Sequence, residues 1–230
     1  MSEPEESTRR LAWLASLRTA RSAAIAGLVF AVSFTLTIYL LRSAFPVGAF
    51  LATDALPSAD DIARAQLGVN ILPYVGIAFL WFTAVLNYSV GHADNRLFTT
   101  VFTGSGIAFI VILFVIGALA SAELRLLAEG INPEGASRIV PASTINELLA
   151  SYAPRMAAVF ALSLSTLGRL RKVLPGWLTA FGTVTGLVLL LVPFGVPYVE
   201  YLFPAWALVV SVYLFIADPG GKARASAGAL

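Results

Sequence analysis

Six runs of apolar residues, over 22–41, 68–90, 97–120, 152–168, 177–194 and 199–217, dominate the chain. About 20 apolar residues in a helix, at roughly 1.5 Å each, cross ~30 Å of hydrocarbon, and a helix satisfies its backbone polar groups internally. The predicted fold class is therefore an all-α membrane protein, a bundle of six transmembrane helices. Composition agrees: 58% of the 230 residues are hydrophobic and only 12% are charged, with mean hydropathy +0.84. Soluble domains carry about 25% charged residues, so this chain has too few ionisable groups to cover a surface in water. Its 15 basic and 13 acidic residues give a net charge of +2. No basic face clusters them, which excludes a nucleic-acid partner. Cys is absent and His92 is the single histidine, which excludes disulfide frameworks, Cys/His zinc sites and thiol catalysis.

The first run, from Ser22 to Leu41, is too long for the apolar region of a cleaved signal peptide and is closed by Arg42, so it reads as a retained anchor. The fourth is the weakest, because Arg155 leaves only Met156 to Leu167 uninterrupted. Pro193, Gly195 and Pro197 separate the fifth and sixth so tightly that these could form one re-entrant unit. Lys and Arg beside the spans set orientation. With the N-terminus in the cytoplasm, Arg9, Arg10, Arg18, Arg21, Arg96, Arg169, Arg171, Lys172, Lys222 and Arg224 lie inside, and only Arg42, Arg64, Arg125 and Arg138 lie outside. An even number of spans keeps both basic termini on the cytoplasmic side.

The chain accordingly divides into a cytoplasmic N-terminal tail (1–21), a six-helix domain (22–217) and a C-terminal tail (218–230) rich in Gly and Ala and expected to be disordered. Arginines around Trp13 suit the N-terminal tail to an interfacial helix, with a disordered tail as the alternative. Ser58 with Asp61 forms a capping-box pattern that starts helix 2 outside the bilayer, and Thr144 with Glu147 forms a second that would start helix 4. Helix 3 is expected to continue through Glu123 and Leu127 to a stop at Gly130. Asp94 is expected to cap helix 3 from a tight turn that holds His92. The projecting helix ends would form a small outer cap, either shielding those ends or docking an extracytoplasmic partner.

Arg155 is the sharpest feature inside a span, since a charge there costs about 2.5–3.5 kcal/mol on insertion scales. It lies in the outer half, at nearly the level of Glu200, so an Arg155–Glu200 ion pair bridging helices 4 and 6 is the expected arrangement, with Tyr152, Tyr198 or Tyr201 nearby. Arg155 would either snorkel to the outer headgroups, fix packing through this pair, or bind an anionic or zwitterionic ligand or a lipid headgroup. Asn70, Tyr74, Ile77 and Trp81 share one face of span 2 beside the bend at Pro73. Such a polar, aromatic stripe is expected to line the bundle interior. Arg155, Glu200, Asn70, Tyr74 and Trp81 are the candidate ligand-binding residues. Gly182 and Gly186 form a GxxxG for close helix packing. Ser105, between two glycines, has no base within reach, no Lys lies in a span, and no metal or phosphate-binding motif is present. No catalytic set and no cofactor are expected.

The stretches Pro73-Tyr74-Val75-Gly76-Ile77-Ala78-Phe79-Leu80-Trp81-Phe82, Asn95-Arg96-Leu97-Phe98, Val101 to Gly106, Arg155 to Phe160, Ser163 to Leu167, Leu174-Pro175-Gly176-Trp177-Leu178 and Phe203 to Tyr213 resemble a family of small, uncharacterised six-pass bacterial integral membrane proteins. The resemblance covers roughly residues 20–217. It implies the six-helix architecture and a place in the bacterial cytoplasmic membrane, and supplies no activity. Function is expected to be non-enzymatic, through binding of a membrane or extracytoplasmic protein partner or a lipid. The alternative is a small-solute transporter with a site in the outer half of the bundle around Arg155.

Overall fold

The computed structural model describes residues 3–47, 56–90, 96–131, 136–171, 174–193 and 196–216. Among them there are helices and no strand. α1 spans Glu3–Ala44, α2 Ala59–Val90, α3 Arg96–Ala128, α4 Ala136–Glu147, α5 Ala153–Leu170, α6 Gly176–Leu191 and α7 Leu202–Ile216. Five stretches are long and apolar enough to cross a membrane: Ser22–Ala44, Ala59–Asn87, Leu97–Ala128, Ile139–Leu170 and Val199–Ile216. α6 is shorter, at 16 residues, which is about 24 Å of helix.

The local signals explain several boundaries. The Ser58 hydroxyl donates to Asp61 Oδ2 at 2.6 Å and the Ser58 N–H donates to the same oxygen at 3.2 Å, while the Asp61 N–H donates back to Ser58 Oγ at 3.2 Å. These reciprocal bonds start α2 at its expected place. At the far end of α3, the Ile131 N–H donates to the Leu126 carbonyl at 3.0 Å and the Gly130 N–H to that of Leu127 at 3.1 Å. This Schellman pattern needs a left-handed residue, and Gly130 supplies it at φ 73°. α1 carries the helix back to Glu3, so the N-terminal tail and the first span share one helix. The expected C-terminal tail and the expected turn at His92 and Asp94 lie outside the described residues.

The second capping box does not start a helix. α4 begins at Ala136, and Thr144 donates instead to the Val140 carbonyl at 2.7 Å, inside the helix. A Thr–x–x–Glu spacing fits a helix interior as well as an end, because the hydroxyl can bond one turn back. α4 then passes through a wider π turn, Leu148–Tyr152, into α5. Pro154 follows at once and has no N–H to donate, and the ladder adjusts with the Ala153 N–H reaching the Leu148 carbonyl five residues back. One almost unbroken helical stretch therefore replaces a loop and a separately capped helix.

The helices close into a ring in which α1 packs on α2 and α7, α3 on α2 and α5, and α6 on α5 and more lightly on α7. Its centre is filled by phenylalanines. Phe203 on α7 lies 5.8 Å from Phe30, 5.8 Å from Phe79, 5.1 Å from Phe109 and 6.0 Å from Phe160, ring to ring. These five rings come from five different helices and are essentially inaccessible. Aromatic pairs at such distances contribute about 0.5–1.5 kcal/mol each beyond their burial. In lipid, where apolar surface gains little by leaving one hydrocarbon for another, dense packing of this kind is the main force holding helices together.

Small residues set the spacing on the α5–α6 side. A Cβ on Gly182 would strike Ser165 Oγ and would stand 2.8 Å from Trp206 Nε1, and one on Gly186 would stand 3.1 Å from the Ala158 carbonyl. The GxxxG pattern thus serves close packing, as its spacing suggests. Several hydroxyls within the spans bond their own helix, Thr35 to Ala31 (2.7 Å), Ser105 to Phe102 (3.0 Å), Thr166 to Leu162 (2.9 Å) and Ser211 to Ala207 (2.7 Å), whereas those of Thr37 and Thr83 are buried without a partner. A polar group satisfied in this way costs little inside a membrane.

Candidate functional site

The polar cluster that joins most segments sits where α1 ends. Arg42, in the last turn of α1, donates from Nε and Nη2 to a single oxygen of Glu200, Oε1, at 2.8 and 2.6 Å. Its Nη1 donates to the Phe45 carbonyl at 3.2 Å and to Asn146 Oδ1 on α4. Asn146 in turn donates to the Ala142 carbonyl at 3.1 Å. One guanidinium thereby holds the end of α1, the middle of the α4–α5 stretch and the start of α7. A cation in the last turn of a helix is also favoured by the helix dipole.

Glu200 is positioned by a tight turn. Tyr198 takes a left-handed conformation, φ 67°, and opens the short 3-10 turn Val199–Tyr201. A non-glycine residue pays about 1 kcal/mol or more for that geometry. The turn points the carboxylate inward, where its side chain is 2% exposed and that of Arg42 11%. The other oxygen, Oε2, is buried without a hydrogen-bond partner. The Tyr198 and Tyr201 rings stand 6.3 Å apart beside it.

The expected Arg155–Glu200 pair does not form. Arg155 donates to Ser151 Oγ, four residues back on its own helical stretch, and Glu200 belongs to Arg42. Both α1 and the α5 stretch reach the Val199–Tyr201 turn; what separates the two arginines is that α1 packs closely along α7 whereas α5 touches it only lightly. Sequence reading missed Arg42 and Asn146 as members of the cluster. The available signal was that Arg42 closes span 1 at the same end at which Glu200 opens span 6.

The α2 stripe also faces the other way. Tyr74 is 70% exposed and Trp81 64%, Ile77 is exposed with them, and Asn70 lies on that outer face. The buried face carries Leu72, Val75, Phe79, Phe82 and Leu86 instead. The stripe therefore looks out of the bundle, because in a helix this uniformly apolar a polar residue does not mark the interior. Asn70 and Pro73 border a groove between α2 and α3. Pro73 cannot donate to the Val69 carbonyl, which frees that acceptor along the same groove.

Of the five candidate ligand-binding residues, then, Glu200 is buried against Arg42, Arg155 sits apart on Ser151, and Asn70, Tyr74 and Trp81 share an outward face. They do not form one site. Among the described residues no three Asp, Glu or His side chains come together. No family model, curated protein or solved structure matches the chain.

Proposed function

We propose that this chain is a non-enzymatic, six-pass component of a bacterial cytoplasmic membrane, with both termini in the cytoplasm, that acts by binding a lipid or a protein partner on its lateral and outer surfaces. The observation that carries this reading is the aromatic centre. Phe30, Phe79, Phe109, Phe160 and Phe203 occupy the bundle axis from five helices, and a carrier working along that axis would have to part all of them. The outward aromatic face of α2 and the basic residues around Arg169 and Arg171 at the opposite end from Arg42 support the surface role and the orientation respectively. The resemblance to six-pass bacterial membrane proteins carries the count of six, with α6 as the short fifth pass.

The native chain has no Cys, so an introduced one reports alone. Single cysteines at buried Ala157, Ala161 and Ala207 and at exposed Ala59 are labelled with a membrane-impermeant maleimide, in right-side-out and in inverted vesicles. Protection of the three buried positions from both sides, with position 59 labelled only from the periplasmic side, is the expected result. Labelling at 157 or 161 would reveal a water path past the phenylalanines. It would replace this reading with solute transport near Arg155.

A further inference from the structure

Between α2 and α3 a groove opens to the outside of the bundle in two joined parts. The lower part, about 400 Å³, has Leu72, Pro73, Phe114 and Gly117 along its walls beside Asn70, and exposed Ala118 at its rim. The upper part, about 150 Å³, is bordered by Gln66, Asn70, Ser121 and Arg125. Val69 and Asn70 line both, so the two parts adjoin. Among the described residues, Arg125 has no ion-pair partner and the Gln66 and Asn70 amides have no hydrogen bond. Among the described residues, no acidic side chain borders either part.

Length and polarity both run along the membrane normal. Arg125 stands one turn before the end of α3, and Phe114 lies eleven residues deeper, or about 16 Å. That is roughly half of a ~30 Å hydrocarbon core, the depth of one leaflet. The polar end therefore falls at headgroup level and the apolar end near the bilayer midplane. A cation at the top, unpaired amides beneath it and an apolar trough below match in order the phosphate, the glycerol esters and the acyl chain of a lipid.

We propose that this groove binds one glycerophospholipid of the leaflet at the Arg42 end of the bundle. Arg125 takes the phosphodiester, Asn70 and Gln66 face the glycerol backbone, and one acyl chain lies in the Leu72–Phe114 trough. The charge argues for an anionic lipid, because a cation without an ion-pair partner is best neutralised by a net negative headgroup. The inference rests on the lipid- or partner-binding reading above and names the site and the ligand class for it.

The test is native mass spectrometry of the detergent-solubilised protein titrated with phosphatidylglycerol. Wild type is expected to retain one lipid. Arg125→Gln should weaken retention about tenfold, as loss of a charge-assisted contact implies, and Ala118→Trp should do so by filling the trough from its exposed rim. Arg64→Gln, at an exposed arginine 3.5 Å from Asp61 that borders neither part of the groove, should leave retention unchanged. Equal retention by all four proteins places the lipid elsewhere and overturns the groove while leaving the broader reading intact. An equal loss in Arg64→Gln reduces the effect to general charge and also overturns it. If wild type retains no lipid, the groove is not a lipid site and is open to a helix of a protein partner. The broader reading stands or falls separately, on the maleimide labelling.

Discussion

Arg42 and Glu200 stand at opposite ends of the sequence, yet the guanidinium places both Nε and Nη2 on one carboxylate oxygen, 2.8 and 2.6 Å away, with the carboxylate buried and the guanidinium largely so. Because the other oxygen makes no hydrogen bond, the carboxylate depends on this single cation. Removing one member strands a buried charge, which typically costs about 3–5 kcal/mol. Arg42→Met and Glu200→Leu should each lower the thermal unfolding midpoint in detergent sharply. The double variant, which leaves no charge behind, should recover most of the loss.

Arg155 should behave differently although it lies deeper in a spanning stretch. Its partner is the Ser151 hydroxyl one turn back, so no second helix depends on it. Arg155→Gln is expected to cost about 1 kcal/mol, the scale of one local hydrogen bond. Comparing its unfolding midpoint with that of Arg42→Met ranks the two arginines directly.

Phe79 touches the rings of Phe30, Phe82, Phe109, Phe160 and Phe203 at centroid distances of 4.7 to 6.4 Å. Phe79→Ala would open a cavity at the point where the helices meet. A loss of about 3–5 kcal/mol is expected, read by chemical unfolding in mixed micelles. Phe79→Leu, which retains most of the volume, should lose less than half of that.

Two glycines separate packing from propensity. A Cβ on Gly182 meets Ser165 and Trp206, whereas one on Gly104 meets nothing within 4 Å. Gly182→Ala should therefore destabilise the protein. Gly104→Ala should stabilise it by up to about 1 kcal/mol, the helix-propensity difference between the two residues. Parallel melting curves of the two variants give the opposite signs or refute the packing.

The outward aim of the α2 stripe has an optical readout. Trp81 is 64% exposed and Trp206 is 1% exposed. In single-tryptophan variants reconstituted with brominated acyl-chain lipids, fluorescence of Trp81 should be strongly quenched and that of Trp206 nearly untouched. Equal quenching of both would place the α2 stripe against protein, as the sequence pattern alone suggests.

The sequence by itself determined that this chain carries helices long and apolar enough to cross a membrane and where much of its helical structure lies. Runs of about 20 apolar residues leave few alternatives in water or lipid, and short-range chemistry fixed the start of α2 at Ser58 and the stop of α3 at Gly130, since both depend on atoms within a few residues of each other. The Thr144 pattern failed for the complementary reason: its hydroxyl had an equally good acceptor inside a helix at Val140. Only the tertiary structure decided that Glu200 belongs to Arg42 and that the Asn70–Trp81 face looks outward. In a soluble helix the apolar stripe marks the core because water covers the other side. In lipid both sides are apolar, so period alone does not say which face of α2 is buried. Depth along the membrane normal can be counted in residues, but lateral neighbours cannot, and it was the placement of α1 beside α7 that gave Glu200 its partner.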